Sequence, residues 1–183
     1  MKQKFILLLL FLASMAVNAQ VVLLQENFQD WTAQDTAISY SLTKKLFDGK
    51  TNGTFTSNAL VVAPNQSIGK SGKAEGNGNP SNGRIVMKGA KTYLQLPELE
   101  SVGQVNIKTS AGTDLKEFKL QVLKGGVFED IRESITPCSK MTIKLFTFNF
   151  KFDSPTTLRI VPASGSSINI WDVQVYSFAS NKP

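Results

Sequence analysis

The chain has 183 residues, with 20 Lys and Arg against 14 Asp and Glu, a formal net charge of +6, one Cys and no His. Without histidine, Ser-His-Asp and Cys-His catalysis, most zinc sites and the usual switch near neutral pH are excluded, and the lone Cys138 excludes an internal disulfide. The lysines are scattered and only Arg84, Arg132 and Arg159 supply guanidinium groups, so no clustered basic face for nucleic acid is expected.

The first segment follows the plan of a secretory signal. Lys2 and Lys4 form a positive start, Phe5 to Ala13 is an apolar run, and Val17-Asn18-Ala19 offers small residues for signal peptidase. The apolar run is shorter than the ~20 residues that span a bilayer. The pattern predicts a signal peptide over residues 1–19 and a mature chain, 20–183, that folds as one domain outside the cytoplasm: periplasmic, cell-surface or extracellular. Gln20 follows the cleavage site where a lipid-anchored protein would carry Cys. No later stretch is apolar enough for a membrane span.

Alternation with period two then dominates. The segments are Leu24 to Phe28, Thr54 to Val62, Arg84 to Met87, Thr92 to Leu96 and Gln104 to Lys108. After them come Glu117 to Leu123 and Val127 to Ile131, joined by a Lys124-Gly125-Gly126 hairpin turn, and then Met141 to Phe152, Thr157 to Pro162 and Ile168 to Phe178. Val, Ile, Thr and Phe fill these runs, as half-buried pleated positions favour. The fold class is all-β: an antiparallel β-sandwich, jelly-roll-like. Two strands switch parity, from Leu145 to Phe146 and from Ile170 to Val173, and each switch predicts a bulge or a strand passing between sheets. Phe146, Phe148, Phe150 and Phe152 read as sandwich core.

Between Ala63 and Gly83 the chain is rich in Gly, Asn and Ser, a loop long enough to be either a binding loop or a surface connection. Gly69-Lys70-Ser71-Gly72-Lys73 fails as a phosphate loop, because Pro64 stands at the first Gly and no helical run follows. Cys138 reads as a small buried filler. The carboxylates show no spacing that singles out a catalytic pair, and Tyr40, Tyr93 and Tyr176 are dispersed, so the chain is not expected to be an enzyme.

Two short stretches carry a resemblance. Glu26-Asn27-Phe28-Gln29-Asp30-Trp31 resembles the opening, and Ile170-Trp171-Asp172-Val173-Gln174-Val175 the closing strand, of jelly-roll, galactose-binding-like modules in secreted bacterial carbohydrate-active enzymes and adhesins. The middle, with Gly83-Arg84-Ile85-Val86-Met87 and Tyr93-Leu94-Gln95-Leu96-Pro97, is similar to them too. The resemblance implies a secreted, non-catalytic, carbohydrate-binding protein whose partner is a polysaccharide or cell-surface glycan. The alternative it leaves open is a structural or interaction protein, such as a surface-assembly or adhesin-like subunit. Under the first reading the ligand residues are Tyr93, Trp171, Arg84, Asn79 and Asn82. Tyr93 is the favoured stacking ring because Leu94 and Leu96 take the inward parity. Trp171 is the other platform, turned outward by the neighbouring bulge. The resemblance also implies a structural calcium ion between Glu26 and Asp172. The mild positive charge of the mature chain slightly favours acidic glycans, a component that salt weakens.

Overall fold

The computed structural model describes residues 20–32, 39–63, 83–111, 116–131, 138, 142–163 and 167–178. The expected signal peptide and the segment 64–82, with Asn79 and Asn82, lie outside the described residues. The described residues hold twelve strands, in chain order β1 Val22–Glu26, β2 Tyr40–Lys45, β3 Asn52–Ser57, β4 Leu60–Val62, β5 Arg84–Lys88, β6 Leu94–Gln95, β7 Val102–Ala111, β8 Phe118–Lys124, β9 Val127–Asp130, β10 Lys144–Phe152, β11 Leu158–Pro162 and β12 Ser167–Tyr176.

They form two six-stranded sheets. The first has the order β10-β7-β12-β5-β4, with β1 added beside β12, and the second the order β2-β3-β6-β11-β8-β9. Every pairing is antiparallel, so the expected antiparallel sandwich is the observed architecture. No described helix is long and apolar enough to cross a membrane.

The period-two pattern places the core. In β11, Leu158 and Ile160 turn inward and Arg159 outward; in β8, Phe118, Leu120 and Val122 turn inward. The phenylalanines of β10 line the inner face, with Phe118 edge-on to Phe146 and Phe148 at 5.7 and 5.8 Å. Cys138 is fully buried in the same core, as a small filler should be, with its sulfur 3.6 Å from Thr109 Oγ1, and burial pushes its thiol pKa up. Gly125 and Gly126 both take positive φ in the β8–β9 turn, a conformation that the missing side chain allows.

Of the two parity switches, the one in β12 marks a real register shift between Ile170 and Asp172, after which Val173 and Val175 resume the inward face. The one in β10 does not. Lys144 to Asn149 pair with β7 without interruption, and Leu145 is simply an apolar side chain on the outer face, 56 % exposed. The shift in β10 comes later, between Asn149 and Phe152.

The opening stretch from Glu26 to Trp31 is a packed corner. Phe28 takes a φ of 60°, and its N–H donates to Glu26 Oε1 at 2.7 Å, which ties down a conformation that a bulky residue otherwise avoids. Phe28 and Trp31 meet edge to face at 5.2 Å, and Trp31 meets Phe55 at 5.4 Å. A side chain at Gly83 would collide with the Phe28 carbonyl, so the strand leading into Arg84 is pressed directly onto this corner.

Candidate functional site

The sandwich separates the expected ligand residues onto two outer faces. On the first sheet, Ile85 and Met87 of β5 enter the core, and Arg84 points the other way. Its guanidinium carbon lies 5.0 Å from the Trp171 ring centroid. The bulge does turn Trp171 off the core, yet Trp171 is only 4 % exposed and Arg84 is fully buried. The indole Nε1 donates to Ser110 Oγ at 3.0 Å, and Asn169 Nδ2 reaches the same oxygen at 3.4 Å. This is a closed polar cluster, in which neither ring face of Trp171 is an open platform.

Tyr93 belongs to the second sheet. Leu94 and Leu96 are buried in the core, leaving Tyr93 and Gln95 on the outer side. The backbone of Tyr93 is held at both ends: its N–H donates to Asn58 Oδ1 at 2.9 Å, and its carbonyl accepts from Ser57 Oγ at 2.6 Å. The half-buried Arg159 guanidinium sits between two rings, 4.2 Å from the Tyr93 centroid and 3.6 Å from that of Phe128. Its Nη2 donates to Gln95 Oε1 at 2.9 Å. Burial pulls the Arg159 pKa down, but guanidinium is basic enough to stay charged.

Register places this stack in a continuous row. Ser41 pairs with Thr56, Thr56 with Gln95, Gln95 with Arg159, Arg159 with Gln121 and Gln121 with Asp130, so one polar side chain per strand crosses all six strands. Gln121 Nε2 donates to Asp130 Oδ1 at 2.8 Å, and Lys119 bridges Asp130 at 2.7 Å. Hydrogen bonds from Lys119 and Gln121 hold the Asp130 pKa below its usual value. The row offers ring margins, a planar cation and amides together, the groups that meet C–H surfaces and hydroxyls. Sequence reasoning found Tyr93 but not Arg159, Phe128 or Gln95. The outward parity of Arg159 between Leu158 and Ile160 was the available signal; the reach of Phe128 across β8 has no local signature.

Glu26 and Asp172 lie near enough to feel each other's charge. Asp172 has a raised pKa, first because of burial, with Lys108 opposing and Glu26 reinforcing the shift. Glu26 is 4 % exposed, and both of its oxygens are engaged. Oε1 accepts from Phe28 N–H, and Oε2 lies 2.7 Å from Lys44 Nζ, which also meets Asp30 Oδ1 at 2.6 Å. Calcium takes six to eight oxygen ligands, so an ion here would have to displace an ammonium that already fills the cation position. Among the described residues, no group of three or more Asp, Glu, Cys or His side chains is placed to hold a metal.

No family model matches the chain. No curated protein matches it either. Solved structures do. The K2 cleaved adhesin domain of Lys-gingipain is similar with a TM-score of 0.52 at 14 % identity, over 86 % of this chain and 99 % of that one. The N-terminal endo-1,4-β-D-xylanase 10B of Clostridium thermocellum, its CBM22-1 and GH10 modules complexed with xylohexaose, is similar with a TM-score of 0.50 at 16 % identity. That match covers 90 % of this chain and 30 % of the xylanase chain, so this chain spans about a third of that protein. A carbohydrate-binding module, CBM36 in complex with calcium and xylotriose, has a TM-score of 0.40 at 13 % identity, over 64 % of this chain and 98 % of the module. The two likenesses with TM-scores of 0.50 and 0.52 show that the chain shares the β-sandwich fold of carbohydrate-binding modules and adhesin domains. At these identities the likeness is one of fold.

Proposed function

We propose that the chain is an exported, non-catalytic glycan-binding protein that holds a polysaccharide on the outer face of the β2-β3-β6-β11-β8-β9 sheet. One observation carries this: Arg159 is clasped between Tyr93 and Phe128 at the centre of the in-register polar row. Residues fixed in this way lose little side-chain entropy on binding, which is the main cost that a weak polar contact has to meet. Tyr93 is the ring that meets the sugar's C–H surface, and Arg159 and Gln95 meet hydroxyls or carboxylates. Arg84 and Trp171, buried together on the other sheet, support the fold rather than touch the ligand.

Calorimetry of the exported protein against soluble xylan, β-glucan, pectin and alginate tests the reading. Tyr93→Ala should weaken binding about tenfold, the equivalent of about 1.4 kcal/mol, while the melting temperature shifts little. Absence of any binding tighter than millimolar removes the glycan-binding reading and leaves the adhesin-like interaction domain, the reading that the end-to-end match to the K2 adhesin domain favours.

A further inference from the structure

The outer face of the other sheet carries a second array of a different composition. Across β1, β12, β7 and β10, Gln25 pairs with Gln174, Gln174 with Asn106 and Asn106 with Thr147. One step along, Tyr176 pairs with Gln104 and Gln104 with Asn149. All seven side chains alternate with inward residues of the core, Leu24, Val105, Phe148, Val173 and Val175 among them, so they share the outer face. They form a grid about 4.8 Å across the strands and about 6.8 Å along them.

Contacts within the grid fix its polarity. The Tyr176 hydroxyl donates to Gln174 Oε1 at 3.0 Å, and Gln104 Nε2 donates to Asn106 Oδ1 at 2.9 Å. Both bonds consume amide oxygens, so the NH2 groups of Gln174 and Asn106 are held in place with no partner among the described residues. Gln25, Thr147 and Asn149 are exposed, Gln174, Tyr176 and Gln104 are half-buried, and Asn106 at the centre of the grid is only 9 % exposed, so it acts chiefly by holding Gln104 in place. At the margin Asp172 pairs in register with Lys108, which leaves Lys151, next outward after Asn149 on β10, as the one unbalanced charge beside the grid among the described residues. An interface core between proteins is enriched in aromatic residues, Met and Arg, of which this grid has Tyr176 alone, and a nucleic-acid surface needs clustered cations. This grid has neither composition. It offers fixed, uncharged donors and acceptors, which complement the hydroxyls of a neutral glycan.

We infer that the chain has two glycan faces on opposite sides of the sandwich, the second a neutral-polysaccharide surface built on Gln174, Asn106, Gln104 and Tyr176, and that one molecule bridges two polysaccharide chains. This rests on the glycan-binding reading of the first face. The test is electrophoresis of the exported protein in gels containing soluble xylan or β-glucan, paired with the turbidity of the same polysaccharides mixed with protein that sedimentation shows to be monomeric. Wild type should be retarded and should also turn the polysaccharide turbid. Gln174→Ala with Asn106→Ala, and separately Thr147→Arg at an exposed position on the outer side of β10, should remain retarded but lose at least about nine-tenths of the turbidity. Tyr93→Ala should lose turbidity too while keeping some retardation through the second face. Wild-type turbidity in both second-face variants, or retardation of wild type without turbidity, overturns the bridging proposal and spares the first face. No retardation of wild type in either gel overturns the glycan reading itself, and the bridging proposal with it.

Discussion

Two arginines each lie against aromatic rings, one on each sheet, and they differ chiefly in access to water. Arg84 is fully buried beside Trp171, 5.0 Å from the ring. Arg159 is half-exposed between Tyr93 and Phe128, at 4.2 and 3.6 Å. A cation on a ring face is worth about 0.5–1 kcal/mol when exposed and about 2 or more when desolvated. Buried, the pair becomes part of the folding free energy and is closed to ligands. Half-exposed, it contributes less to folding but leaves the guanidinium edge and the ring margins accessible. The same pair of residue types therefore reads as a structural post in one sheet and as a recognition element in the other.

The sharpest way to break that contrast is at the buried arginine. Arg84→Met keeps much of the aliphatic volume but removes the cation from a site that the fold has already desolvated around it. The loss combines a desolvated cation–π contact, worth about 2 kcal/mol or more, with the void left where the buried guanidinium stood, and chemical denaturation should show at least about 3 kcal/mol. A loss below about 1 kcal/mol would mean that Arg84 behaves like a surface residue, and the contrast with Arg159 would collapse.

A second, somewhat smaller effect is expected at Lys44, where a half-buried ammonium faces the buried Glu26 carboxylate at 2.7 Å and Asp30 at 2.6 Å. Burial pulls the Lys44 pKa down, but the hydrogen bonds to Asp30 and Glu26 outweigh it, and the net shift is upward. Lys44→Met should cost about 3 kcal/mol, because it strands a charge inside the sandwich end. In wild type, excess EDTA should leave the melting temperature unchanged if Lys44 is the counter-ion of Glu26; a fall of several degrees would place calcium there instead.

Lys44 also explains what the sequence concealed. Strand β2 has alternating inward positions at Tyr40, Leu42 and Lys44, and a lysine at the third hides the pattern from a reading based on hydrophobicity. Thr54 to Val62 reads as one strand because its alternation is continuous. In the fold, Asn58 and Ser57 clasp Tyr93, and the chain crosses there from β3 in the second sheet to β4 in the first. The remaining strands were legible because inward and outward residues differ sharply in polarity, as in Leu158-Arg159-Ile160. The site was legible only in part. The outward parity of Tyr93 follows from its neighbours, but its company follows from strand order, which brings β6 beside β11 and lets Phe128 of β9 reach over β8. Trp171 misled for the converse reason: parity and the bulge place it outward, and only the packing of Arg84, Ser110 and Asn169 shows it to be covered.

The smallest expected effect lies at the join between the two regimes, at Asp172, half-buried on the outer side of the first sheet. Burial raises its pKa above the usual 3.8, Lys108 opposes that rise and Glu26 adds to it. A carboxyl whose folded pKa exceeds its unfolded value contributes stability that is fully present below the unfolded pKa and is lost as pH rises through the folded one. Ionised Asp172 is therefore a mild cost to the fold at neutral pH. Asp172→Asn should raise the melting temperature slightly at pH 7, by the equivalent of less than about 1 kcal/mol given its partial exposure. The advantage should vanish as pH falls below about 4. Thermal melts of both proteins from pH 3 to pH 8 provide the check. A variant less stable than wild type at pH 7 and equal to it in acid would show that the attraction of Lys108 outweighs burial, and Asp172 would then count with the paired, stabilising charges of the Lys44 cluster.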